Sequence, residues 1–110
     1  MVMTEQTAFL KVMGDSPTNK VLDFMIVFSN FDYSLTDIAN NSGVAYSTLM
    51  LFWKKLERYR IVEFTRKVGK AKMYKLNKEN PAVKQLVRLH KTIVKSEVRK
   101  MLKQKVVVKA

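Results

Sequence analysis

SLTDIANNSGVAYSTLMLFWKKLERY, Ser34 to Tyr59, decides how this chain folds. Ser34 stands three residues before Asp37, a capping box with a shortened acid, in which the serine oxygen accepts a backbone N–H of the first helical turn. The helix that begins there is brief, because Asn40, Asn41, Ser42 and Gly43 end it within about two turns, and Gly43 can take the left-handed backbone that helix ends favour. A second helix follows from about Tyr46 to Tyr59. At about 100° per residue, Leu49, Phe52, Trp53 and Leu56 form one stripe that belongs in a core. Ser47, Met50, Leu51, Lys54 and Arg58 occupy its other faces. The apolar run from Leu49 to Trp53 therefore divides into buried positions and an outward pair, Met50 and Leu51.

The spacing between the two helices is equally demanding. Ala39 is small where the helices must approach closely, Gly43 follows four residues later, and Val44 plugs the core from the turn. These requirements, met together and in this order, are those of a helix-turn-helix.

N-terminal to this unit, TEQTAFLKVM from Thr4 to Met13 places Ala8, Phe9, Val12 and Met13 at helical spacing, and Gly14 stops it. Ser16 then caps a further helix with Pro17 in its first turn, where a missing N–H is no loss. Val21, Leu22, Met25, Ile26 and Phe28 direct that helix into the core. NFDY, Asn30 to Tyr33, has the composition of a turn.

C-terminal to it, IVEFTRKVGKAKMYKL, Ile61 to Leu76, is rich in strand formers and is broken at Gly69-Lys70, which predicts a two-stranded hairpin. Alternation puts Val62, Phe64, Tyr74 and Leu76 on the inner face, with Tyr74 a core residue. The tip is basic: Arg66, Lys67, Lys70 and Lys72 suit contact with a phosphate backbone or a narrow minor groove.

Asn80 and Pro81 then open a long helix whose apolar residues recur every three or four positions. Val83, Leu86, Val87, His90, Ile93, Val94, Val98, Met101 and Leu102 make a seam longer than a domain of this size requires, as a dimer interface would be. The opposite face carries Lys84, Arg88, Lys91, Lys95, Arg99, Lys100 and Lys103, which can add to a field that attracts phosphate. The final VVVKA is expected to fray. The organisation is thus an N-terminal helix at 1–14, a winged helix-turn-helix domain at 15–79, and a C-terminal helix at 80–110 that serves as dimerisation element and basic tail. The fold class is mainly α with a small β-hairpin wing.

Composition bounds the chemistry. In 110 residues there is no cysteine and one histidine, so no disulfide framework, thiolate site or catalytic triad can be assembled. No metal site, cofactor site or small-molecule effector site is readable, and an enzyme is excluded for want of a nucleophile–base pair or phosphate loop. The beginning of the chain lacks the pattern of a signal peptide, and no apolar run is long enough to span a bilayer, so a cytoplasmic protein is expected. The net charge is +12. Its distribution is uneven: residues 1–43 hold two lysines against five carboxylates, a net −3, and residues 44–110 hold +15. A basic excess on one part of a small domain is the footprint of a polyanion partner, nucleic acid ahead of an anionic membrane or an acidic protein.

The runs SLTDIANNSGVAYSTL and KKLERYRIVEFTRKVGKAKMYKLNKENPAVKQL resemble the archaeal and bacterial winged-helix transcriptional regulators of the ArsR-like or MarR-like type, over about Asp15 to Leu89. Without a cysteine, histidine or carboxylate cluster, the metal-sensing branch is excluded. Two departures stand out: Ala45 replaces a capping serine, and Arg60 replaces the glycine that precedes the first wing strand. The resemblance implies a DNA-binding dimer, with the helix from about 46 to 59 in the major groove and the wing on the backbone or minor groove. Carried over by position, the groove-facing set is Ala45, Tyr46, Ser47, Met50, Leu51 and Lys54. Ser47 and Lys54 can bond to bases or phosphates, and Met50 and Leu51 can meet a thymine methyl or another protein surface. The expected function is a sequence-specific, dimeric transcriptional regulator acting on double-stranded DNA. The alternatives are an architectural, chromatin or RNA-binding protein without sequence choice, and a basic helix that lies on a membrane or partner protein.

Overall fold

The computed structural model of the protein describes the backbone of residues 6–109 and the side chains of residues 6–104. In chain order the elements are α1 (Ala8–Met13), α2 (Pro17–Val27), β1 (Tyr33–Ser34), α3 (Leu35–Ser42), α4 (Tyr46–Arg58), β2 (Val62–Val68), β3 (Ala71–Leu76) and α5 (Pro81–Lys109). Helices α2, α3 and α4 surround a core of Val21, Phe24, Met25, Ile38, Ala39, Leu49, Trp53 and Leu56, closed by Val62, Tyr74 and Leu76 from the sheet and Val83 from α5. No helix among the described residues is long and apolar enough to cross a membrane.

The local signals in Ser34–Tyr59 operate as their chemistry requires. The Ser34 oxygen accepts the Asp37 N–H at 3.1 Å. Gly43 adopts φ 72°, and the Val44 N–H returns to the Ala39 carbonyl at 3.0 Å, which satisfies a carbonyl left open by the end of α3. Ala45 leaves α4 without a side-chain cap. Where the wing begins, Arg60 itself takes the left-handed backbone, at φ 57°. Its carbonyl accepts the side-chain amides of Asn77 and Asn80, at 3.0 and 2.9 Å, which hold the unusual turn from the far end of the hairpin.

The wing contains more than a hairpin. Tyr33, expected in a turn, and Ser34, expected only as a helix cap, form a short edge strand, so the antiparallel sheet has the order β1-β3-β2, with Tyr33 opposite Tyr74. Their place in the ladder comes from long-range pairing that local turn chemistry does not encode. Phe64, expected inside, is half exposed and lies edge-on to Tyr74 with ring centroids 6.0 Å apart. Beyond it the pairing slips between Phe64 and Arg66, leaving Thr65 as an extra residue in β2.

Helix α1 docks through its first turn, with Ala8 and Phe9 on the buried side as expected and Leu10 in place of Val12 and Met13. Phe9 and Leu10 are buried and Val12 and Met13 are exposed. The reason lies in its partner: α1 rests on α5, where Phe9 and Leu10 cluster with Ile93. Thr4 and Glu5, expected in this helix, lie outside the described residues.

Helix α5 continues through Lys109, where fraying was expected, and Ala110 lies outside the described residues. Its apolar seam is not all available to another chain. Val83 and His90 are buried inside the protein, Ile93 is covered by α1, and Leu86 and Val87 pack partly against the domain core. Val83, His90 and Ile93 are therefore not free for a dimer face, because the domain core and α1 cover them, whereas Leu86 and Val87 are half-covered. Val94, Val98, Met101 and Leu102 remain exposed.

Candidate nucleic-acid interface

The outward face of α4 begins at the uncapped end of the helix. Tyr46 is half exposed, while Ser47 and Lys54 are exposed. The two apolar residues in question separate: Met50 is partly buried against the core, whereas Leu51 is 85% exposed. Leu51 is therefore the one large aliphatic side chain presented outward from this part of the helix. On the neighbouring side, Phe52 is less buried than its stripe implied, because it lines an apolar groove of about 410 Å³ with Leu56, Tyr59, Ile61 and Ala82, rimmed by Lys55.

The wing supplies charge. Gly69 takes φ 62° at the hairpin tip, a left-handed turn conformation that glycine adopts without steric cost. Lys67 and Lys72 stand directly opposite each other in the ladder, and both are exposed, as is Lys70. Like charges across a strand pair destabilise it by a few tenths of a kcal/mol, up to about 1. That juxtaposition concentrates positive charge near the wing tip at a cost to the ladder.

Arg66 behaves differently from its neighbours. Its guanidinium donates to both carboxylate oxygens of Asp32, at 2.9 and 3.2 Å, and the Thr65 hydroxyl donates to the same carboxylate. In a regular strand, consecutive side chains point to opposite faces; the bulge at Thr65 lets two neighbours reach one acceptor. The hydrogen bonds from Arg66 and Thr65 hold the Asp32 carboxyl down to about 2, and the same pairing raises Arg66 further above its ordinary range. Arg66 thus latches the wing to the segment before β1, and its charge is largely spent within the protein. Sequence reasoning grouped it with the free lysines because Asp32, 34 residues away, sits in a stretch that reads as a turn.

Three of the four basic wing residues singled out from sequence, together with Ser47, Leu51 and Lys54 on α4, are therefore exposed and unburdened by the core. Arg66 and Met50 are engaged within the protein. Among the described residues no group of three histidines, cysteines or carboxylates is placed to hold a metal ion.

No protein-family model matches the chain, and no curated protein sequence matches it significantly. Solved structures do. MepR of Staphylococcus aureus, a transcription regulator of the multidrug efflux pump MepA, is 19% identical with a TM-score of 0.62, over 88% of this chain and 72% of its own. Lactococcus lactis ZitR in complex with DNA is 12% identical with a TM-score of 0.54, over 82% and 67%. Sso10a-2, a DNA-binding protein from Sulfolobus solfataricus, is 12% identical with a TM-score of 0.51, over 80% and 90%. At these identities the likeness is one of fold: the chain has a winged helix-turn-helix architecture with an added long C-terminal helix.

Proposed function

We propose that this protein is a sequence-specific DNA-binding transcriptional regulator that acts as a dimer, with α4 in the major groove and the wing tip on the flanking backbone. The observation that carries the reading is the joint exposure of Ser47, Leu51 and Lys54 on α4 and of Lys67, Lys70 and Lys72 on a hairpin that adjoins it. The division of labour follows from chemistry. Leu51 suits the thymine methyl, Ser47 and Lys54 can bond to base edges, and the wing lysines contribute phosphate contacts that carry affinity without sequence information. The uncapped start of α4 leaves first-turn N–H groups free for a phosphate oxygen. That MepR and ZitR share this fold, and that ZitR is known bound to DNA, supports the same reading.

Dimerisation would use the exposed part of α5, Val94, Val98 and Met101. A symmetric dimer would read two half-sites about one helical turn, ~34 Å, apart. Regulation follows by occupancy of the operator, which excludes other proteins from the same duplex.

One observation favours a second reading, an architectural DNA-coating protein. The outward face of α4 offers few polar groups for base edges, chiefly Tyr46, Ser47, Lys54 and Arg58, beside an exposed leucine. Selection from a random duplex pool separates the two. A regulator enriches a common sequence that survives excess competitor DNA, whereas a coating protein enriches none.

A further inference from the structure

The distal half of α5 carries two adjacent strips. Val94, Val98 and Met101 are exposed along one side. Immediately beside them, within about 80° of arc, lie Lys84, Arg88, Lys91, Lys95 and Arg99, all exposed. The one carboxylate on α5, Glu97, falls on the other flank and forms an ion pair with Lys11 at 3.6 Å, so nothing on this helix neutralises the basic strip. None of these residues belongs to α4 or to the wing.

We propose that this strip is a second phosphate-backbone site, completed by two copies of the chain, and that a nucleic acid lying on it drives the pairing of their α5 helices. The inference rests on the α5-mediated dimer of the proposed function. When two copies pack seam to seam in antiparallel fashion about a two-fold axis, each flank meets the same flank of its partner. Lys91 and Lys95 of both copies then flank the seam on one side, and Arg99, Lys84 and Arg88 widen and prolong the strip on each helix. Because the charges lie within a Debye length, about 10 Å at 0.1 M salt, they oppose pairing. Among the described residues the exposed seam is short and offers few side chains to overcome that repulsion. A phosphodiester backbone laid along the joined strip removes it and releases counterions, so binding and pairing strengthen each other by linkage.

The test is sedimentation equilibrium of the full chain at low salt, with and without long-chain inorganic polyphosphate, which supplies phosphate charge without bases or grooves. The expected result is a dimer dissociation constant at least about tenfold lower with polyphosphate, and a similar gain when salt alone is raised. A Lys91→Gln, Lys95→Gln, Arg99→Gln variant, altered only at exposed helix positions, should pair tightly at low salt without polyphosphate. Its response to polyphosphate should be lost, and the slope of its duplex affinity against log salt should fall by about three per chain. A Val98→Glu, Met101→Glu variant should stay monomeric and still bind duplex through α4 and the wing. Wild-type pairing that ignores polyphosphate, or a triple variant that responds like wild type, overturns the inference while leaving the dimer intact. A wild-type chain that stays monomeric throughout overturns the dimer itself, and this site with it.

Discussion

Asp23 and His90, 67 residues apart in the chain, meet at 2.7 Å between carboxylate Oδ1 and imidazole Nε2, both side chains buried. The second carboxylate oxygen accepts the Thr7 hydroxyl at 2.7 Å, and the Phe9 ring lies 5.0 Å from the imidazole. One buried cluster therefore joins the N-cap of α1, the middle of α2 and the middle of α5. A polar pair so deeply buried satisfies itself only in one arrangement, which fixes the register of α5 on the domain and hence the direction of its exposed distal half.

Removing either partner should leave the other buried and unmatched. His90→Ala and Asp23→Ala are each expected to lower stability by about 3 kcal/mol, while a joint Asp23→Leu, His90→Leu replacement should cost less than the sum of the two. Urea unfolding of the four proteins measures this. Single-variant losses under about 1 kcal/mol would mean that hydrophobic docking of Phe9, Leu10 and Ile93 positions α5 without the pair.

Arg60 spends energy on its backbone. A non-glycine residue in the left-handed region is disfavoured by about 1–2 kcal/mol, so Arg60→Gly should stabilise the fold by up to about 1 kcal/mol once the greater flexibility of glycine in the unfolded chain is set against it. The Asn77 and Asn80 bonds to its carbonyl are retained, since they use the backbone. A destabilised Arg60→Gly protein would show that the arginine side chain, and not its conformation, matters there.

The latch between Asp32 and Arg66 should resist acid. A carboxyl whose value is lowered in the fold contributes its stabilisation fully above its ordinary value of 3.8, and loses it as pH falls through about 2. The Asp32 carboxyl carbon, followed by NMR, should therefore titrate near 2, and a midpoint near the ordinary value would mean that the latch is open in solution. At neutral pH, Asp32→Asn should release Arg66 to a phosphate and raise affinity for unrelated duplexes by several-fold, with a steeper salt dependence.

Much of this architecture was legible because its signals are local. Ser34, Gly43 and Pro17 act on their own turn of backbone, and the stripe through Leu49, Trp53 and Leu56 needs only the helical period. What sequence reading missed is made of long-range partners. Asp23 sits in an otherwise apolar helix and His90 in an otherwise apolar seam; each was anomalous alone, and the pairing of the two anomalies was the available signal. Asp32 gave no such sign, since a carboxylate in a turn is ordinary, and its capture of Arg66 depends on a bulge at Thr65 that no local pattern announces. The α5 seam misled for a related reason: periodicity marks a face that will be covered, without saying whether α1 or another molecule covers it. On α4 the same limit left Met50 and Leu51 equivalent, and packing divides them.

The central claim is that α4 reads sequence while the wing supplies affinity, and one titration tests it most directly. A duplex selected by the wild-type protein and a scrambled duplex of equal length are titrated at matched salt with Ser47→Ala, Leu51→Ala, Lys54→Ala and Lys70→Ala. The account predicts that the three α4 variants lose about 1–3 kcal/mol more on the selected duplex than on the scrambled one, whereas Lys70→Ala weakens both alike. Equal losses on the two duplexes for all four variants would contradict it.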